Sequence, residues 1–250
     1  MIGIASFKEY FKGFEDQYVI IGGTACEILM SDNSLNFRAT KDIDLVLIIE
    51  TLTKEFCEIF WQYINDAGYE HISKTTNKSE CYRFSNPKSP DYPKMIELFS
   101  RKQDWLLSSI KQNIIPIHID DEVSSLSAIL LDDTYYNFLT EGISKIDDIS
   151  ILNAEHIIPF KAKAWIDLTY RKEHGELIDS KDIKKHRNDI IRLSTLLSPN
   201  LNMTLPNKIK EDLSFFIQKL NEEEFNLKQM GINHISKEKL IQFLNQFYNL

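Results

Sequence analysis

Residues 18–49, YVIIGGTACEILMSDNSLNFRATKDIDLVLII, constrain this chain more than any other stretch. Tyr18 to Ile21 is a short apolar run of strand length and β-branched content. Gly22 and Gly23 break that run, and the small and apolar residues from Thr24 onward suit a helix. A polar loop with Asn33, Ser34 and Asn36 follows, and the chain returns as a second strand over residues 42–49. Asp42 and Asp44 stand at the mouth of that strand, one residue apart. Strand side chains alternate faces, so both carboxylates project one way while Ile43, Leu45 and Leu47 project the other. Two like charges that close repel by roughly 4 kcal/mol at an effective dielectric near 20. A divalent cation bound by hard oxygen ligands is the usual offset; a solvated entry to the sheet is the plainer alternative. Gly-Gly-Thr after a strand supplies a tight turn, backbone N–H groups and a hydroxyl at a helix N-terminus, a site suited to phosphate. The two features together predict metal-plus-phosphate chemistry.

Gly22-Gly23-Thr24 with Arg38-x-Thr40-x-Asp42-x-Asp44 resembles the nucleotidyltransferase superfamily, whose pattern is Gly-Gly/Ser, a spacer, then Asp-x-Asp. The Arg-x-Thr-x-Asp-x-Asp wording is similar, more narrowly, to the AbiEii-type abortive-infection toxins of bacterial toxin–antitoxin systems. The seventeen residues between Thr24 and Asp42 exceed the spacer of the compact polymerase-type version and fit the toxin-like branch better. The likeness runs from residue 15 to about residue 195, with its strong motifs in the first third.

The 250 residues can bury a sizeable core and suggest one large domain or two smaller ones. Hydrophobic content of 43% with 26% charged residues reads as a soluble globular chain, and no apolar run approaches the length that spans a bilayer. The N-terminal residues carry acidic groups and no cationic start before an apolar run, which makes a poor secretory signal. Three cysteines, Cys26, Cys57 and Cys81, without metal-ligand spacing favour a reducing cytoplasm. The net charge of −8 divides into −10 over residues 1–150 and +2 over residues 151–250. An acidic half for metal and a mildly basic half for a polyanion is one reading; compositional drift is the other.

Phe7, Tyr10, Phe11 and Phe14 form one helical face, a lid over the sheet. Residues 53–67 read as an amphipathic helix with Thr53 as N-cap and Gly68 as its stop. Residues 69–74 and 80–85 look like short strands, and 86–93, with three prolines, is a loop. In the strand of residues 94–101, Met95, Glu97 and Phe99 share a face. A Glu inside an apolar strand is costly to bury unless paired or metal-bound, so Glu97 is either a site residue or a water-facing edge residue. Pro116 argues for an edge position of residues 114–120, His118 reads as structural, and Asp132-Asp133 as a solvated turn. Over residues 153–170, Ile157, Phe160, Ala164, Trp165 and Leu168 make an apolar stripe with Lys161 inside it, while Lys163 is placed to pair with Asp167. Lys161 either snorkels to the surface or reaches phosphates across a cleft. In residues 180–197, Asp182, Lys185/His186 and Asp189 share a stripe beside an apolar face, for which an i,i+4 salt-bridge surface is the plain reading. Pro199 and Pro206 bracket a linker, two further helices follow, and Glu222 to Glu224 reads as a solvated run.

The resemblance implies an α/β (α+β) nucleotidyltransferase-like mixed sheet flanked by helices over residues 1–150, then a C-terminal α-helical domain over 151–250. It implies transfer of a nucleoside monophosphate from an NTP to an acceptor hydroxyl of RNA (tRNA) or protein, with a cognate antitoxin as partner and no membrane. Asp42 and Asp44 would hold two Mg²⁺ (or Mn²⁺) ions, and Glu97, where the family more often has Asp, would bind the second and orient or deprotonate the acceptor. Gly22, Gly23 and Thr24 would cradle the β/γ-phosphates, with Arg38 and Lys161 as nucleotide contacts. Lys161 with Ala164 is similar to the family's Lys-x-x-Ala helix, and Asp189 keeps the place of its late acidic residue, whereas His186 stands where Asp is common. Two other readings stay open: an inactive, antitoxin-like binding module on the same fold, and a small-molecule (aminoglycoside-type) nucleotidyltransferase.

Overall fold

The computed structural model describes residues 3–71, 81–99 and 132–250. Its sheet is built on the two strands read from residues 18–49. Strand β1 (Tyr18–Ile21) runs antiparallel to β2 (Asp42–Leu47), joined through helix α2 (Gly22–Asp32) and the loop after it. Helix α1 (Ile4–Tyr10) precedes β1, and α3 (Lys54–Ala67) leads to β3 (Glu70–His71), β4 (Cys81–Ser85) and β5 (Met95–Phe99). Helix α4 (Asp133–Glu141) is followed by the hairpin β6 (Ile143–Ile146) and β7 (Ile149–Leu152). The sheet order is β3-β4-β5-β2-β1-β7-β6, with β2 parallel to β5 and β1 parallel to β7. Helices α5 (Ala154–Glu173), α6 (Ser180–Leu193), α7 (Asn207–Glu222) and α8 (Lys237–Phe247) complete the chain. The expected class, a mixed α/β sheet flanked by helices and followed by a helical C-terminal part, is observed. The boundary expected at residues 150 and 151 falls inside β7.

Residues paired across neighbouring strands point to the same face, so the register sorts the sheet into two surfaces. Tyr18, Ile20, Ile43, Leu45, Leu47, Ile96, Leu98 and Phe84 lie on one, all buried. The aromatic rings of α1 and α3 cover it: Phe7 packs edge-on against Tyr18 with centroids 5.3 Å apart, Phe11 lies 5.4 Å from Phe56, and Phe60 lies 5.5 Å from Phe84. The aromatic face read at residues 7–14 is thus a lid on the sheet. Helix α3 begins and ends as its sequence dictates, with the Thr53 hydroxyl accepting from the Phe56 N–H at 3.3 Å and Gly68 at φ 65° closing it. The other surface carries Asp42, Asp44, Glu97, Met95 and Phe99, and α5 and α6 stand over it.

Three local expectations change. Lys163 does not take Asp167: its Nζ donates to Asp212 on α7 at 2.8 Å, and Asp167 pairs with Arg171. A partly buried partner on a packed helix outcompetes an exposed one along the same helix. Asp132 is the N-cap of α4 rather than a bare turn residue, accepting from the Thr134 and Tyr135 N–H groups at 2.9 and 3.3 Å. Glu223 is not simply solvated, because it receives the buried guanidinium of Arg187. The expectations for residues 72–74 and 114–120, with His118, lie outside the described residues. Among the described residues no helix is long and apolar enough to cross a membrane.

Candidate functional site

Four side-by-side positions run across the sheet in register: Arg83 on β4, Glu97 on β5, Asp44 on β2 and Ile21 at the end of β1. The next residue, Gly22, has φ +67°, and a Cβ built on it would lie 1.7 Å from Asp44 Oδ2. Only glycine permits both that backbone conformation and that approach, so the Gly-Gly turn doubles as the seat of a carboxylate. A Cβ on Gly23 would come within 3.1 Å of Arg38 Nη2 and of Thr40 Cγ2. Helix α2 starts at Gly22 without a side-chain cap, so its partly positive end lies beside Asp44.

A cavity of about 280 Å³ opens over this row. Gly22, Gly23, Asp42, Asp44, Glu97 and Arg83 form its floor, Arg38 to Lys41 one rim, and Lys161 on α5 with Lys185 and His186 on α6 the roof. Phe99, Leu152, Ile157, Phe160 and Ala164 make an apolar wall. The structure therefore brings together Asp42, Asp44, Glu97, Gly22, Gly23, Arg38 and Lys161, drawn from positions 22 to 161 of the sequence. Thr24 lies outside the lining. It is fully buried, and its hydroxyl donates to the Asp42 carbonyl at 2.5 Å, which fastens the start of α2 to the start of β2.

Asp189 reaches this site through others. It is 1% exposed, and its Oδ2 accepts from Lys161 Nζ at 2.9 Å and from Arg38 Nη2 at 3.1 Å. The salt-bridge surface read along α6 is absent at this residue: both partners come from other elements. Burial alone would raise the Asp189 pKa; Lys161 and then Arg38 outweigh it and hold the carboxyl down at about 2. Lys161 neither snorkels nor projects as an unpaired charge. Burial disfavours its charged form, but Asp189 more than compensates, and the ammonium stays charged.

The acidic row behaves differently. Asp42 is pushed upward by partial burial. Glu97 is 5% exposed, and Arg83 Nε donates to its Oε1 at 2.8 Å, with Nη2 on the same oxygen. Its carboxyl is nevertheless raised, first by burial and then by the adjacent charge of Asp44, which Arg83 only partly offsets. Arg83 was not foreseen from sequence; its place opposite Glu97 comes from strand register, which no local pattern shows. Glu27 was also missed: it accepts from the Thr40 N–H at 2.7 Å and from the Thr40 hydroxyl, pinning the loop that carries Arg38 to α2.

The donor set fits a hard divalent cation at two positions, Asp42 and Asp44, which share a face and open on the cavity. Glu97 is turned to Arg83, and among the described residues no three His, Cys, Asp or Glu side chains gather as a metal-binding group.

No family model matches this chain, and no curated protein matches it. Its solved structural neighbours include an antigenic nucleotidyltransferase-like protein from Paracoccidioides brasiliensis, at 15% identity and TM-score 0.43 over 95% of this chain and 98% of that one. They also include the antibiotic-resistance factor ANT(2'')-Ia, at 10% identity and TM-score 0.39 over 88% and 92%. A third is the Megavirus polyadenylate synthase, at 12% identity and TM-score 0.31, where the match covers 98% of this chain and 47% of that one. At TM-scores below 0.5 these likenesses assign the chain to no family.

Proposed function

We propose that this chain is a metal-dependent nucleotidyltransferase that moves a nucleoside monophosphate from an NTP to an acceptor hydroxyl. One observation carries the reading: Asp42 and Asp44 open side by side into a cavity whose rim and roof hold Arg38, Lys161 and Lys185 and whose floor includes the uncapped start of α2. Acidic groups below and cationic groups around them match a triphosphate that brings a divalent ion. Asp42 and Asp44 would hold that ion, which when bound would supply charge stabilisation to the transfer. The N–H groups at Gly22 and Gly23 face the phosphates from the helix end. Arg38 and Lys161, kept charged and fixed by Asp189, orient the same groups, and the apolar wall of Ile157 and Phe160 excludes water beside them. The acceptor oxygen forms a bond to the α-phosphorus, the bond to pyrophosphate breaks, and the acceptor proton leaves to solvent or base.

The Arg38-x-Thr40-x-Asp42-x-Asp44 run supports a finer proposal, a toxin-type enzyme whose acceptor is RNA or protein. The test is incubation with each α-³²P NTP, Mg²⁺ and total RNA or protein from an expressing bacterium. Sequencing of RNA 3′ ends and growth on induction are followed in parallel. Label transferred by the wild-type chain and lost in Asp44→Ala supports the reading. Equal label in both, or no NTP binding by calorimetry, overturns it.

A further inference from the structure

Among the described residues, Arg83 is the cation of the site that arrives from the sheet rather than from a loop or helix over it. Through its pairing with Glu97 it sets how many ions the site takes, an inference that rests on the nucleotidyltransferase reading above. We propose that Arg83 stands where a second divalent ion would otherwise be needed. The site then works with one ion, held by Asp42 and Asp44, while Glu97 acts as a positioning residue between Arg83 and Asp44.

Three observations carry this. First, the register places Arg83, Glu97 and Asp44 in one row on three adjacent strands, so the pairing is built into the sheet rather than chosen by a loop. Second, Arg83 gives two N–H groups, Nε and Nη2, to a single oxygen of Glu97, whose side chain is 7% exposed. Beside it, in register on the neighbouring strand, stands the Asp44 carboxyl. One oxygen of the Glu97 carboxyl is thus taken twice over, and an ion bound there would have to displace a guanidinium from a nearly dry pocket. A forked, charge-assisted pair is among the stronger polar contacts available to a carboxylate. Third, Asp44 is pressed against Gly22 on its far side. Between the glycine and Glu97, it lines the cavity together with Asp42.

The test is titration of the full-length chain with Mn²⁺, in saturating non-hydrolysable NTP, with free and bound ion separated by electron paramagnetic resonance. The wild-type chain is expected to hold one Mn²⁺ per nucleotide complex. Glu97→Gln is expected to keep that single ion with an affinity lowered by about 10- to 100-fold, the size typical of a group that supports a ligand. Arg83→Met, which uncovers the Glu97 carboxylate, is expected to raise the count to two. Two ions in the wild-type chain, or one ion still in a folded Arg83→Met, overturns the inference while leaving the nucleotidyltransferase reading intact. If Arg83→Met fails to fold by circular dichroism, the wild-type count decides alone. A wild-type chain that binds neither Mn²⁺ nor nucleotide sinks the underlying reading and the inference with it.

Discussion

Glu97 in the cavity floor and Asp189 behind the cavity's Lys161 and Arg38 are both buried acids, and their carboxyls are shifted in opposite directions. Asp189 meets two cations, Lys161 and Arg38, and its pKa falls to about 2. Glu97 meets one cation and one acid, Arg83 and Asp44, and its pKa rises. What differs is the count of charged neighbours around a carboxyl that burial penalises in both places. Asp189 is therefore a clamp that fixes two cations in place, whereas the Glu97–Asp44 pair keeps an unfavourable charge that Arg83 only partly offsets.

The comparison is broken most sharply at Asp44. Asp44→Ala removes an ion ligand and the charge that raises Glu97, so transfer of labelled nucleotide should drop by about 10³-fold or more, several kcal/mol of lost transition-state stabilisation. Its melting temperature should hold or rise, because a like-charge contact is relieved. Asp189→Asn should do the reverse. It leaves Lys161 buried without its counter-charge and should cost about 3–5 kcal/mol in urea unfolding; adding Lys161→Met should recover much of that loss. A smaller effect is read from acid. Because the folded pKa of Asp189 lies below its ordinary value of 3.8, its contribution is fully present above about pH 4 and is lost as pH falls towards 2. That loss, about 2 kcal/mol, should be missing from the acid unfolding curve of Asp189→Asn. Gly22→Ala should cost about 1–2 kcal/mol for its left-handed backbone and also impair transfer by displacing the Asp44 carboxylate. Lys163→Ala, which loses a partly exposed bridge to Asp212 on the far side of α5, should change stability by no more than about 1 kcal/mol and leave transfer unchanged.

Much of this arrangement was legible because it is local. The strand alternation of residues 42–47, the break at Gly22-Gly23, the Thr53 cap and the apolar stripe of α5 follow from periods of two and 3.6 residues and from capping chemistry. The face shared by Met95, Glu97 and Phe99 followed from the same alternation and lines the cavity. What stayed hidden needs partners far apart in the chain. Arg83 and Glu97 meet by strand register, and Asp189 finds Arg38 across 151 residues; helical spacing alone had suggested a surface pair. The β6–β7 hairpin was missed for another reason. Asp147 and Asp148, at φ 50° and 60°, make its tight turn without the glycine that usually marks one.

The hairpin also fixes the geometry of the cleft. Strand β7 adds to β1 in parallel, and a single residue, Asn153, separates its end from α5, where it caps the helix by accepting from the His156 N–H at 3.1 Å. The helix bearing Lys161 is therefore a spoke fastened directly to the sheet that bears Asp42 and Asp44. Only Asn153 lies between strand and helix to absorb a movement, so a shift of that sheet edge is passed almost directly to Lys161.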